Sequence, residues 1–232
     1  MNYKTELHCH TREVSKCAKS PAERTVDFYI SKGYTSLVLT NHLSRFTFNN
    51  HRFGDLSAAP WDLKMDLFLG GYHRMKEVAG DRLNILLGCE MRSNITESDY
   101  QIYGVTEEFL RSTPDIIDMK MSDVSAAVRA AGMLLVQAHP FRSGMYVTDP
   151  AILDGVEIFN GNLGHGNRND IARIWAEKYG LIGTAGGDNH SALPDTYASG
   201  IITDFPITTN EELLRVLRSG EYELIRYGDL PY

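Results

Sequence analysis

The sequence predicts an α/β protein built on a parallel sheet with helices over both faces, and three observations predict it. Short apolar runs alternate with helical segments along the chain, the runs are apolar on both faces, and ligand-type polar side chains stand at their C-terminal ends. Roughly seven to eight strands in 232 residues favour a closed barrel over an open sheet. No repeat, low-complexity tract or Pro/Gly/Ser linker interrupts the pattern, so residues 1–232 read as a single domain.

The elements follow in order. A first strand lies near Glu6 to Thr11. Ser20-Pro21-Ala22-Glu23 then offers an N-cap, a proline at the first helical position and a capping-box glutamate, and Gly33 closes that helix. Thr35 to Thr40 reads as a buried strand. Trp61, Met65, Phe68, Leu69, Tyr72 and Met75 share one helical face, and Asn84 to Cys89 follows as a strand. A helix over Ser122 to Ala131 stops at Gly132 and leads into the strand Met133 to Ala138. The chain continues with strand Gly155 to Phe159, helix Asn169 to Tyr179, strand Leu181 to Ala185 and a closing helix Glu211 to Ser219.

Composition narrows the function. A chain that is 43% hydrophobic and 23% charged can bury a core, which excludes disorder and a fibrous fold. The net charge of −7 argues against long nucleic acid as a partner, because phosphate backbones need clustered Lys and Arg. No stretch approaches the roughly 20 apolar residues of a membrane span, and the first residues lack the apolar core of a signal peptide. The odd count of three cysteines makes a disulfide framework unexpected, so the reading is a cytoplasmic protein with free thiols.

Six short motifs end the predicted strands: His8 and His10, Asn41-His42, Glu90, His139-Pro140, Asn160, and Asp188-Asn189-His190. In a parallel barrel those ends converge on one face. Residues two apart in a strand share a face, so His8 and His10 stand side by side with Cys9 turned away, and Asp188 pairs with His190 in the same manner. Imidazoles mixed with carboxylates suit Zn²⁺, Mn²⁺ or Fe²⁺. Each motif alone is weak, since a histidine has many structural uses and a strand-end acid is ordinary; their conjunction is the signal.

The motifs E-L-H-C-H-T at the start, L-T-N-H at 39–42, G-C-E at 88–90, Q-A-H-P-F-R at 137–142 and G-G-D-N-H at 186–190 resemble those of the PHP (polymerase and histidinol phosphatase) superfamily of metal-dependent phosphoesterases. The resemblance implies a distorted (β/α)7 TIM-like barrel, two or three divalent ions at its C-terminal mouth, and hydrolysis of phosphoesters. By the same resemblance, His8, His10, Glu90 and Asp188 hold one ion, Glu90 bridges to a second that His139 also binds, and His42 and His190 belong to a third. Three departures accompany it. Asn41 stands where Asp is usual, which changes a supporting hydrogen bond more than a ligand. Lys16-Cys17 stands where many members place a His or Asp, so the third site is either incomplete or recruits Glu13. A further histidine between the Glu and His-Pro motifs is missing, with Glu97, Asp99, Glu107 and Glu108 as substitutes nearby.

The implied mechanism is attack on phosphorus by hydroxide from a water bridging two cations, with His190 or His42 protonating the leaving alkoxide. Arg142 is the candidate phosphate clamp, and Asn160, Asn162 and Asn167 are candidate substrate contacts that a turn could equally require. His51, His73 and His165 match no motif and read as surface or structural, while Cys9 and Cys89 read as packing. The long segment 43–60, with Phe46, Phe48, Phe53 and Arg45 or Arg52, reads as a lid or as a loop packed down on the core.

The leading function is a small-molecule phosphomonoesterase or phosphodiesterase. Alternatives are a histidinol phosphatase, disfavoured by the missing histidine, a 5′-end nuclease or nucleotidase, and a non-catalytic metal-binding scaffold. The scaffold is opposed by the cost of keeping so many buried polar groups.

Overall fold

The computed structural model describes residues 2–49, 52 and 54–226. Its first half runs β1 (Tyr3–Cys9), α1 (Ala22–Ser31), β2 (Tyr34–Leu39), β3 (His42–Leu43), α2 (Arg45–Phe48), α3 (Trp61–Ala79), β4 (Asn84–Leu87), β5 (Cys89–Arg92) and β6 (Asp99–Tyr103). The second half adds α4 (Glu107–Ser112), α5 (Met121–Ala130), β7 (Leu134–Gln137), β8 (Gly155–Asn160), α6 (Asn169–Tyr179), β9 (Ile182–Gly186), β10 (Gly200–Thr203), α7 (Asn210–Ser219) and β11 (Glu223–Ile225). No helix among the described residues is long and apolar enough to cross a membrane.

The fold is mixed α/β, and it corrects the expectation of an all-parallel sheet. The described strands form two sheets, ordered β11-β10-β1-β2-β4 and β3-β5-β6-β7-β8-β9. Antiparallel pairings enter at β1–β10, β10–β11, β5–β6 and β6–β7. Two breaks carry the chain from one sheet to the other: residues 40–41 between β2 and β3, and Gly88 between β4 and β5. A Cβ at Gly88 would lie 2.6 Å from Val38 Cγ1, so the crossing is kept close by a residue without a side chain. Opposite this, one parallel bridge, Cys9–Asn189, joins β1 to the segment after β9.

Local chemistry explains most element ends. α1 starts at Ala22 with Pro21 as its N-cap and no side-chain cap at that position. The expected capping box is therefore not formed; Ser20 Oγ accepts from Ala192 N at 2.8 Å, and Glu13 Oε1 accepts the Ala22 amide at 3.0 Å. Gly33 takes φ +76° just past that helix, where a side chain would be strained. α7 carries a full capping box, with Thr209 receiving the Glu212 amide and Glu212 returning to Thr209.

Three apolar clusters hold the layers together. Met65, Phe68 and Leu69 of α3 and Val124 and Val128 of α5 pack with Met91, Tyr100, Ile102 and Leu135 of the second sheet. Val26 and Tyr29 of α1 meet Leu37 and Leu39 of β2. Leu213, Val216 and Leu217 of α7 pack with Leu7, Val38, Tyr103 and Ile201. Burying a Leu- or Phe-sized side chain contributes roughly 1.5–3 kcal/mol, so these clusters supply the drive, and the polar mouth is carried on them.

Part of segment 43–60 is packed down. Phe48 is buried with its ring centroid 6.1 Å from that of Trp61, and Trp61 Nε1 donates to Leu110 O at 2.7 Å. Phe46 is exposed, under the Arg45 guanidinium. His51 and Phe53 lie outside the described residues.

Candidate metal centre

Backbone pairing assembles the centre. The β3–β5 register sets His42 opposite Glu90. Ala138 N donates to Asp99 O at 3.0 Å, which seats the end of β7, and so His139, beside β6. The seam between β1 and the segment after β9 is fastened by His10 N donating to Asn189 O at 3.0 Å, and it brings His8 and His10 against Asp188 and His190. His139 and Asp188 have φ of +28° and +49°, uncommon for side chains of their type, and such strain is found at functional sites.

Glu90 is the hub. Its Oε1 lies 3.2 Å from His8 Nε2 and 3.1 Å from His139 Nε2; its Oε2 lies 3.4 Å from His10 Nε2 and 2.8 Å from His42 Nδ1. Asp188 Oδ1 lies 3.5 Å from His8 Nε2 and 3.4 Å from both His10 Nε2 and His190 Nδ1. Three groups have ligand atoms close enough to share an ion: His8 with Glu90 and His139, His8 with His10 and Asp188, and His10 with His42 and His190.

Supporting bonds fix which nitrogen faces the cluster. Glu157 Oε1 lies 2.8 Å from His8 Nδ1, so the carboxylate takes that proton and leaves the Nε2 lone pair pointing at Glu90 and Asp188. Ser15 Oγ donates to Asn41 Oδ1 at 2.9 Å and therefore accepts from His10 Nδ1 at 3.3 Å, which likewise turns the His10 Nε2 lone pair inward. Asn41 also takes the Thr11 amide at 2.8 Å and touches no carboxylate of the cluster. His42 Nδ1 faces Glu90 and His190 Nδ1 faces Asp188 O at 3.0 Å, so their Nε2 atoms meet 3.4 Å apart with lone pairs opposed when both rings are neutral.

Lone pairs facing lone pairs require a positive charge between them. His8 Nε2 and His10 Nε2 are buried and have no hydrogen-bond partner. Each such atom costs roughly 1–3 kcal/mol, a load that divalent-ion binding on the order of 10 kcal/mol can carry. The donor set, imidazole and carboxylate without thiolate at the core, fits Zn²⁺, Mn²⁺ or Fe²⁺.

Titration follows the same logic. Burial alone would lower His8, but Glu157, Glu90 and Asp188 outweigh it and hold it well above the usual 6.5. Burial, with His42 and His190 alongside, pushes His10 well below 6.5. Burial opposes ionisation of Glu90 and Asp188, yet the surrounding imidazoles hold both well below the usual carboxylate range. Without an ion, protons on His8 and His42 supply part of the missing charge.

The other sequence candidates are placed as follows. Arg142 donates from Nη2 to Asp188 Oδ2 at 2.6 Å and to Asn160 Oδ1 at 3.3 Å, and from Nε to Asn167 Oδ1 at 2.8 Å. Asn160 is buried and ties Glu157 to Asp188 through Nδ2, at 2.9 and 3.3 Å. Asn162 lines a cavity of about 300 Å³ that also borders His190. Glu13 is turned to the start of α1 and belongs to none of the three groups. Of the substitutes for the missing histidine, Asp99 reaches nearest, 3.9 Å from His139 Nε2 and paired with Arg92; Glu97 and Glu107 pair with Arg45 and His73 at the surface. His73 and His165 are exposed, and Cys9 and Cys89 are buried.

Two acids escaped the sequence reading. Glu157, in mid-β8, holds His8 and also accepts the His139 amide at 3.0 Å through Oε2. Glu6 accepts the amides of Leu7, His8 and Gly187 at 3.0, 2.9 and 2.7 Å, with Tyr29 OH at 2.9 Å, and burial pushes it up to about 7. A lone carboxylate inside an otherwise apolar strand was the available signal for Glu157.

No family model matches the chain, and no curated protein matches it by sequence. Solved structures do. A two-domain protein from Bacteroides vulgatus containing a predicted PHP-like metal-dependent phosphoesterase aligns with a TM-score of 0.70 at 13% identity. That alignment covers 97% of this chain and 65% of the other, so the chain spans just under two thirds of that protein's length. PsfC from Pseudomonas syringae aligns with a TM-score of 0.64 at 16% identity, over 92% of this chain and 88% of its own. A Bifidobacterium adolescentis protein, described by inference as a metal-dependent phosphoesterase, gives 0.56 at 15% identity over 93% and 96%. At these identities the shared property is the fold, and the chain has the mixed α/β fold of these structures, one described as containing a predicted PHP-like metal-dependent phosphoesterase and another as a metal-dependent phosphoesterase.

Proposed function

We propose that this protein is a PHP-type, metal-dependent phosphoesterase acting on a small phosphomonoester or phosphodiester. The observation that carries the reading is the His8 Nε2 lone pair, held by Glu157 on the far side of the ring, aimed at carboxylate oxygens of Glu90 and Asp188 at 3.2 and 3.5 Å. Such an arrangement is repulsive without a cation and cohesive with one. Glu90, with one oxygen toward His8 and His139 and the other toward His10 and His42, is suited to bridge two of the two or three ions read from the sequence.

Divalent ions in such a centre supply the acidity that makes water nucleophilic near neutral pH and offset charge on phosphoryl oxygens. The chain's own residues do the rest. Arg142 stands beside Asp188 with its guanidinium positioned by Asn160 and Asn167, where it can fork onto a phosphate. His190 and His42, partly exposed at the rim, are placed to give a proton to a departing alkoxide. On the same reading the two sheets are the halves of a distorted (β/α)7 barrel, a view supported by the Cys9–Asn189 bridge.

Metal analysis of the purified protein, followed by hydrolysis of p-nitrophenyl phosphate and bis-p-nitrophenyl phosphate before and after stripping and Mn²⁺ or Zn²⁺ reconstitution, tests this. Two or more ions per chain with metal-restored turnover is expected; equal turnover by stripped protein overturns it.

A further inference from the structure

In an acidic protein, four cations gather around one cavity. This cavity, of about 760 Å³, is lined by Arg12, Lys16, Lys19 and Arg52, with Cys17 and a single carboxylate, Glu13. That carboxylate already receives the Ala22 amide. Arg12, Lys16 and Lys19 are exposed, and no ion pair involves Lys16 or Lys19 among the described residues. Against a net charge of −7, such a concentration of one sign inside a concave wall focuses a local positive potential.

The cavity adjoins the metal centre. Cys17 and Lys19, on its wall, lie in the loop 12–20, which follows His10 and bonds to His190 through its backbone. Lys19 N donates to His190 O at 2.7 Å and so fastens the loop that bears three of the cations to the centre; Arg12 N donates to Ser20 O at 3.0 Å and closes that loop on itself, and the Arg52 side chain reaches it through Nη1, which donates to Arg12 O at 3.1 Å. By contrast, the cavity bordering His190 on its other side, with Asn162, Thr196 and Tyr197, carries no Lys or Arg. The two sides of the centre therefore differ in charge.

We infer that the basic cavity receives a second anionic group of the substrate, a phosphate or carboxylate carried at the far end of a short polar chain from the phosphate that is cleaved. The inference rests on the phosphoesterase reading and sharpens its substrate class to small molecules anionic at both ends. Lys16 and Lys19, as mobile point charges, suit a phosphate or a carboxylate alike.

Three hexose-derived probes of one length test it on Mn²⁺-loaded protein: glucitol 6-phosphate, 6-phosphogluconate and glucitol 1,6-bisphosphate. Wild type is expected to favour one or both doubly anionic probes in kcat/KM by about tenfold or more, the favoured one identifying carboxylate or phosphate. The Lys16→Ala/Lys19→Ala double variant is expected to shrink that preference roughly tenfold through KM, and added salt to shrink it in wild type. An absent preference, or one equal in wild type and variant, overturns the inference. Should wild type hydrolyse none of the three, the p-nitrophenyl ester assay decides the phosphoesterase reading, and calorimetric binding of glucitol 1,6-bisphosphate decides the cavity separately. Binding lost in the double variant upholds an anion site there; no binding, or equal binding, overturns it.

Discussion

The Glu157 carboxylate stands 2.8 Å from Nδ1 of His8, and its other oxygen takes the backbone amide of His139 at 3.0 Å. One acid thus orients a candidate ligand from β1 and another from the end of β7. Glu157→Gln keeps the shape but can present an N–H where the His8 proton must go. Metal affinity is expected to fall about 10- to 100-fold, with the fold kept, as read by competition with a chromophoric chelator. Unaltered affinity would mean that His8 needs no such support.

His8→Ala and Asp188→Ala each remove an atom from the group shared with His10. Metal content and phosphoesterase activity are expected to fall together. Wild type should also melt at higher temperature when metal is added, by an amount that grows with metal concentration, and these variants should not. A variant that loses activity at full metal occupancy would separate the ligand role from the chemistry.

Arg142→Lys retains a charge and loses the fork that spans Asp188, Asn160 and Asn167. KM is expected to rise roughly tenfold with kcat within about twofold, since a bidentate phosphate contact is lost. Steady-state kinetics at saturating metal, alongside metal analysis, checks this. A fall in metal content at unchanged KM would instead make Arg142 a residue that positions Asp188.

Burial opposes ionisation of Cys17, but the His190 and His42 rings outweigh it and bring the thiol down to about 6. The thiolate is the alkylating form, so iodoacetamide should modify Cys17 in metal-free protein with a midpoint near pH 6. His42→Gln should move that midpoint up. Cys9 and Cys89, buried with their thiols pushed up, should stay unmodified until unfolding. A native midpoint near 9 for Cys17 would contradict this reading.

Stability of the metal-free protein should fall as pH rises from about 5.5 to 8. His8, His42 and His190 have folded pKa values raised above 6.5, so the stability they contribute is present below 6.5 and lost as pH climbs through the raised values. Glu6, raised from 4.5 to about 7, adds a loss of the same sign between those values. His10, lowered, acts in the opposite sense below 6.5, and the Cys17 thiol, brought down to about 6, does so above 6, two groups against four. Glu90 and Asp188, held low, matter only in more acid solution. Thermal melts in chelator at pH 5.5 and 8 test the sign, and metal should reverse it.

The legible part of this protein is the part that obeys simple periods. β2, β7, β8, β9 and the helices α3, α5, α6 and α7 fall within a few residues of where apolar spacing puts them, and the strand-end His, Glu and Asp residues meet as expected. The hairpin β5–β6 was hidden because Asp99 and Gln101 are buried on an inward face, which breaks the apolar pattern that marks a core strand. Glu13, nine residues before the start of α1, could by sequence be a cap or a ligand, and the folded path of the loop turns its Oε1 to the Ala22 amide. Glu157 was missed because it stands in mid-strand, away from the strand end where ligands were sought, although a lone acid in a buried strand marks a group that needs a partner.

The seam between β1 and the segment after β9 also bears on time. Gly187 N donates to Glu6 Oε1 across 181 positions of sequence, and His8 and Asp188 meet at the same junction. Contacts that distant form late, because loop closure must be met before they can contribute. As the polypeptide leaves the ribosome, His8 and His10 wait as an open pair while about four fifths of the chain is made. The groups that include Asp188 and His190 are then complete only once that segment has docked, whereas His8, Glu90 and His139 can meet without it.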